Sequence, residues 1–242
     1  MAYGARLESE FRSNPIEGSN PSPSATNKGV TMKITKYEHS CVVLEEDDQR
    51  LVIDPGVLSK LPAIDKVVAV FVTHTHGDHL SPENIARIHN QNPDLVIFGS
   101  EEVLSELKES GAKKQVIRAG DKYDIAGFNI KVFGQDHAVI YQKVPCANTG
   151  LMVNDKFYYP GDSLVPPEAS VEVLGVPTHA PWLKTAEAME FIKAVKAKTV
   201  VPMHNGLLND WGLDFTYGWL KVACEEVSSE MAALAPGETA EF

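Results

Sequence analysis

Three histidines and an aspartate fall within six consecutive positions, His74-Thr75-His76-Gly77-Asp78-His79, in a chain that holds eight histidines in all. Imidazole nitrogen and carboxylate oxygen are the ligand types of zinc and neighbouring divalent metals, and one ion takes about four of them. The stretch before them, Val67 to Val72, is wholly apolar and mostly β-branched, which predicts a strand buried on both faces. If extended geometry persists past Thr73, His74 and His76 project to the same side, because side chains alternate along a strand. Gly77 is expected to allow a sharp turn that returns Asp78 and His79 to the same point. Ser81-Pro82-Glu83 then opens a helix with a capping hydroxyl, a proline in its first turn and an acid at its positive end. A histidine-rich surface turn is the bland reading. The core strand directly before it argues for a metal site.

Three more residues of ligand type stand at the ends of predicted strands. His137 follows Phe133-Gly134-Gln135-Asp136, Asp162 lies in Pro160-Gly161-Asp162-Ser163, and His204 follows Val200-Val201-Pro202-Met203. Singly each is weak, since a lone strand-end histidine is more often structural. Together with the first cluster they make a set that suits two metals sharing a carboxylate.

The elements that must position these residues are mostly short strands. Lys33–Tyr37, Cys41–Leu44 and Leu51–Ile53 form a meander that Asp54-Pro55-Gly56 ends. Beyond the histidine loop come a helix over Pro82–Asn90, a strand over Leu95–Phe98 and a helix capped by Ser100 and running through Ser110. Phe128, Ile130 and Val132 alternate as in a half-buried strand. Ala138–Tyr141, Thr149–Val153, Phe157–Tyr159, Val171–Val176 and Lys198–Met203 continue the strands. Thr185 is expected to cap a helix with Ala188, Phe191, Ile192 and Val195 on one face. Leu220, Ala223, Cys224, Val227, Met231 and Leu234 mark a C-terminal helix. Many strands with helices among them predict a layered sandwich.

A chain of 242 residues with 43% hydrophobic and 23% charged residues has the composition of an ordinary globular protein with a sizeable core. Residues 1–31 are rich in Ser, Asn, Pro and Gly and are expected to be a disordered tail, with Met32 an alternative start. Residues 32–242 are expected to form one domain. No apolar run reaches the 18–20 residues or so of a membrane span, and no secretory leader is visible at the N-terminus. Cys41, Cys146 and Cys224 are scattered and odd in number, which predicts reduced thiols in the cytoplasm. A net charge of −11 predicts repulsion of nucleic acid, so the expected partner is a small molecule, with neither nucleic acid nor membrane. A homo-oligomer is compatible with this composition.

The order THTHGDH, then His137, then the GDS at Asp162, then PMHNG at His204 resembles the metallo-β-lactamase superfamily of αβ/βα hydrolases over essentially all of 32–242. It is most similar to the compact members that resemble ascorbate-phosphate lactonase. That resemblance implies an α/β (α+β) four-layer αβ/βα sandwich, two mixed sheets with helices on the outer faces. It implies that His74, His76 and His137 hold one metal and Asp78, His79 and His204 a second, with Asp162 bridging. Zinc is the first choice, with manganese or iron as alternatives. Asp54 is expected to support these loops as an acceptor behind the ligands. Compact relatives often carry a glycine-rich segment where this chain has Pro177-Thr178-His179-Ala180-Pro181-Trp182. His179 and Trp182 are therefore candidates to line the pocket, with His179 as a proton donor, and His39 is a further candidate.

Two metals lower the pKa of a shared water toward about 7 and polarise the bond under attack, and Asp78 would orient the nucleophile. The expected activity is metal-dependent hydrolysis of an ester-type bond, a lactone or phosphoester, in a small molecule. An RNA-processing or other nucleic-acid phosphodiesterase, a redox iron enzyme and a non-catalytic metal-holding sensor are the competing readings. The acidic surface disfavours the first. Di-iron relatives typically place Glu where His76 stands, which disfavours the second.

Overall fold

The computed structural model describes residues 31–108, 111–142 and 146–242. The expected tail therefore falls outside the described residues except at Thr31, and so does the expected helix end at Ser110.

In chain order the elements are β1 (Lys33–Lys36), β2 (Val42–Glu46), β3 (Gln49–Ile53), β4 (Val67–Phe71), α1 (Pro82–Gln91), β5 (Val96–Gly99), α2 (Glu101–Glu106), β6 (Lys113–Val116), β7 (Lys122–Ile125) and β8 (Phe128–Asp136). There follow β9 (Ala147–Val153), β10 (Phe157–Tyr159), β11 (Val173–Pro177), α3 (Thr185–Val195), β12 (Thr199–Met203), α4 (Asp210–Glu226), β13 (Glu230–Met231) and β14 (Thr239–Glu241). Among the described residues these strands build two seven-stranded mixed sheets, ordered β14-β1-β2-β3-β4-β5-β6 and β13-β12-β11-β10-β9-β8-β7.

The two sheets meet across an apolar layer. Ala69 and Phe71 of β4 share it with Ile130 and Val132 of β8 and Val201 of β12. The other face of β4, Val67 and Val70, packs with Ile85 and Ile88 of α1. On the far side of the second sheet, Leu174 and Val176 pack with Phe191 and Ile192 of α3 and Leu220 of α4. That is the expected αβ/βα sandwich. The strand before the histidine loop is buried on both faces, as its unbroken apolar run requires.

Several local expectations need correction. Ala138–Tyr141 is not a strand; Val139, Ile140 and Tyr141 are exposed and pair with no strand among the described residues. Lys184, not Thr185, is the N-cap of α3, and Glu187 reaches back to its main-chain N–H at 3.0 Å. The C-terminal helix ends at Glu226 because Ser228 takes a left-handed φ of 60°. Met231 then pairs in β13 with β12. α2 stops at Glu106 with Leu107 as its cap. Strands β6, β7, β13 and β14 carry little apolar pattern in sequence; β6 and β7 alternate exposed and half-buried positions at the rim of each sheet.

Candidate metal centre

Asp54 follows β3, His74 to His79 follow β4, His137 follows β8, Asp162 follows β10 and His204 follows β12. Hydrogen bonds running between the loops draw these strand ends together. The Thr149 N–H donates to Thr73 O at 2.9 Å, Ala138 N–H to Asp162 O at 2.9 Å, and His204 N–H to His39 O at 2.9 Å.

Two glycines are required by this convergence. A Cβ on Gly56 would lie 2.0 Å from the carbonyl oxygen of Asp78, so the loop presses directly on that residue's backbone. Gly161 has a φ of +65°, and a Cβ there would meet Asn148 Oδ1 at 2.2 Å. Gly77 is not such a position: its φ is not positive, and a Cβ would meet only Val57 at 4.0 Å. The turn is made by the carbonyl of His76, which accepts from both His79 N–H and Leu80 N–H.

Buried Asp54 braces the histidine loop. Its carboxylate accepts from Thr73 N–H at 2.8 Å, Thr73 Oγ1 at 2.8 Å and His79 Nδ1 at 2.7 Å. Comparable bonds orient the other imidazoles. His74 Nδ1 donates to Thr73 Oγ1 at 3.0 Å, whose own proton goes to Asp54. His137 Nδ1 donates to Ala138 O and His204 Nδ1 to His179 O, both at 2.6 Å. Four rings are thus tied through Nδ1 and turn Nε2 toward the centre, where His74 Nε2 also meets His76 Nδ1 at 3.1 Å and His79 Nε2 meets Ser40 Oγ at 3.2 Å.

Three of these Nε2 atoms converge on Asp162. Its Oδ1 lies 3.2 Å from both His79 Nε2 and His204 Nε2, and its Oδ2 lies 3.2 Å from His137 Nε2. Asp162 Oδ1, His137 Nε2 and His204 Nε2 are buried and have no hydrogen-bond partner among the described residues. Atoms bound to one zinc at about 2.0–2.1 Å stand about 3.3 Å apart in a tetrahedron, so close, unpaired acceptors are what a metal centre needs. Two groups form, each within 4.8 Å: His74, His76, His137 and Asp162 in one, and His39, Asp78, His79 and His204 in the other. His39 is unsuited to ligation, because its Nδ1 accepts from Gly206 N–H at 3.0 Å and its Nε2 donates to Asp78 Oδ2 at 3.0 Å. Of the other three, His79 and His204 lie against Asp162 Oδ1, and Asp78 Oδ2 lies 3.4 Å from His204 Nε2.

The electrostatics follow from the same contacts. Burial opposes ionisation of Asp162 and Asp78, but the surrounding histidines hold both carboxylates well below the usual range. Burial also disfavours charge on His79 and His204, yet the carboxylates beside them raise His79 strongly and His204 to about 9. His74 is pushed well below its ordinary value by burial and by the neighbouring His79. One end of the centre therefore holds protons that a cation would displace.

His179 meets the centre through its main chain. Its side chain is exposed, and its carbonyl is what reaches the centre, through His204. Trp182 is partly buried and its indole Nε1–H donates to Asp162 Oδ2 at 3.0 Å. Sequence reasoning missed Thr73, which relays Asp54 to His74, and Asn148, whose Oδ1 accepts from Asp162 N–H at 3.1 Å. Thr73 adjoins the histidine motif and was within reach. Asn148 gives no signal, because its partner is brought to it only by pairing of β9 with β10.

Residues 33–204 match the family described as the beta-lactamase superfamily domain. The chain belongs to the metallo-β-lactamase superfamily. Among superfamily relatives, protein Rv0786c of Mycobacterium tuberculosis is 30% identical over 196 residues, 78% of this chain and 91% of its own. A UPF0173 metal-dependent hydrolase of Pelotomaculum thermopropionicum is 29% identical over 235 residues, 87% of this chain and all of its own. The fold is similar to that of Igni18, a metallo hydrolase of the archaeon Ignicoccus hospitalis. The TM-score is 0.67 at 20% identity, over 88% of this chain and 98% of that one. No helix among the described residues is long and apolar enough to cross a membrane.

Proposed function

We propose that this metal-dependent hydrolase of the metallo-β-lactamase superfamily cleaves an ester-type bond, a lactone or a phosphoester, in a small molecule, using two divalent ions. The observation that supports it most is the split of one buried carboxylate, Asp162, between two sets of oriented imidazoles. His74, His76, His137 and Asp162 Oδ2 would hold one ion; Asp78, His79, His204 and Asp162 Oδ1 the other. Zinc suits this donor set, and manganese or iron are the alternatives. When bound, such a pair supplies Lewis acidity toward the substrate oxygen and an attacking water deprotonated near neutral pH.

The chain's own residues do the rest. Asp78 is 31% exposed on its side chain and is held from behind by His39, so it faces both the centre and solvent. Its carboxylate stays ionised and can orient the attacking water. Asp54, Thr73 and the carbonyls of Ala138 and His179 keep the imidazoles from turning, which limits reorganisation in the transition state. His179 acts through its carbonyl, so His179→Ala, which retains it, should leave turnover within about twofold of wild type. The three free thiols and the acidic surface support a cytoplasmic setting and a substrate that is not a nucleic acid.

Elemental analysis of purified protein, joined to a panel of esters, lactones and phosphodiesters, tests this. About two divalent ions per chain and chelator-sensitive turnover of a panel member are expected. A fully metallated protein inert toward the whole panel would point to a metal-holding sensor, and cleavage of RNA at low salt to a nuclease.

A further inference from the structure

The segment between β11 and α3 touches the centre twice. His179 gives its carbonyl to His204 Nδ1, and three residues later Trp182 gives its indole N–H to Asp162 Oδ2. The segment is fixed at both ends. Thr178 N–H donates to Met203 O at 3.0 Å beside the last strand of the site, Leu183 N–H donates to Ala180 O at 3.1 Å, and Ala180 is buried. The indole also meets the ring of His137 edge-on, with centroids 6.0 Å apart.

We propose that Trp182 is a positioning residue that sets the rotation of the Asp162 carboxylate, and with it the capacity of the centre to hold two ions rather than one. The reasoning is geometric. A carboxylate bridges two groups only if its plane is turned so that each oxygen faces one of them. Asp162 N–H donates to Asn148 Oδ1 and Asp162 O accepts from Ala138 N–H, which fixes where the side chain starts but not how its carboxylate rotates. Oδ1 has no hydrogen-bond partner among the described residues, so beside the histidine nitrogens 3.2 Å away the Trp182 bond to Oδ2 is the hydrogen bond that holds the carboxylate's rotation. Without it, the carboxylate can rotate so that both oxygens face His79 and His204, which abandons His137. The second ion then loses its only anionic ligand on the side of His74, His76 and His137. The inference rests on the metal-centre reading above.

Zinc binding to metal-free protein, measured by competition with a chromophoric chelator, is the test. Wild type is expected to bind two ions. Trp182→Phe removes the N–H while keeping an aromatic ring, and should weaken the second ion about 10–100-fold while leaving the first within about threefold. Should Trp182→Phe fold poorly, a second protein reads the same contact. Trp211 and Trp219 are exposed, so Trp211→Phe/Trp219→Phe leaves Trp182 as the sole tryptophan of a chain with three, selectively excited at the red edge of the absorption band. Its emission should change with the second equivalent of zinc. Two ions bound by Trp182→Phe with wild-type affinity, or an emission indifferent to zinc, would overturn the proposal and leave the hydrolase reading intact. A wild type that binds no zinc would overturn the metal-centre reading itself.

Discussion

His39 Nε2 donates to Asp78 Oδ2 at 3.0 Å, while the same ring accepts from Gly206 N–H through Nδ1. The contact joins the first sheet's β1–β2 turn to the loop after β4, and through Gly206 to the loop after β12. His39 is fully buried and takes a left-handed φ of 61°. Asp54 and His204 share that conformation, with φ of 49° and 56°. Backbone of this kind costs of order 1–3 kcal/mol per residue and is retained where surrounding contacts impose it.

Replacing His39 by Asn keeps a side chain that tolerates left-handed backbone and removes the imidazole. Asp78 then loses its anchor. Metal affinity or kcat is expected to fall about 10–100-fold, with a smaller loss of stability. Chelator competition and steady-state kinetics on the best panel substrate would show it; wild-type values for both would mean that the bond to Asp78 does nothing for the centre.

Asp54 is the sole carboxylate behind His79 Nδ1 and is entirely buried with it. Asp54→Ala should destabilise the fold by about 3–5 kcal/mol, because it strands a buried imidazole and the Thr73 donors. Urea unfolding of the metal-free variant measures this. A loss under about 1 kcal/mol would show that water satisfies these groups as well as Asp54 does.

Gly56 and Gly77 make opposite predictions. Gly56→Ala places a methyl 2.0 Å from Asp78 O and 2.6 Å from His79 N, so the ligand loop must move. Gly77→Ala meets nothing closer than 4.0 Å. The first should lower both thermal stability and metal affinity; the second should stay within about 0.5 kcal/mol of wild type. Equal behaviour of the two variants would contradict the close approach at Gly56.

Without metal, stability should depend on pH in a definite direction. His204 is raised from 6.5 to about 9 by Asp162 and Asp78 acting against burial, and His79 is raised as well. A raised pKa gives stabilisation that is complete below about 6.5 and is lost as pH climbs toward 9. Lys36 acts oppositely: burial lowers it from 10.5 to about 8, so its penalty is relieved above about pH 8. Metal-free protein should therefore lose Tm between about pH 6.5 and 8, then level off. Zinc displaces the histidine protons, so loaded protein should show a higher Tm and no such fall. Paired melts across this range decide it.

The primary structure by itself determined the core and the side chains that gather at the candidate metal centre. An apolar run from Val67 to Val72 admits one placement, between two buried layers, and the histidines behind it have no structural use in such numbers. Period-two burial at Phe128, Ile130 and Val132 was readable for the same reason, since a strand's two faces see different surroundings. Rim strands β6 and β7 were not, because their side chains are exposed or half-buried and pairing alone makes them strands. What surrounds each ligand was decided by tertiary structure. Whether His179 contributes a ring or a carbonyl, whether Gly77 or Gly56 is the obligatory glycine, and which acceptor ties Nδ1 of His79 and of His204 all depend on chain segments about 22 to 25 positions apart. Spacing in sequence carries the side-chain types that can bind a cation, whereas the rotation of each ring and carboxylate is fixed only by neighbours that folding delivers.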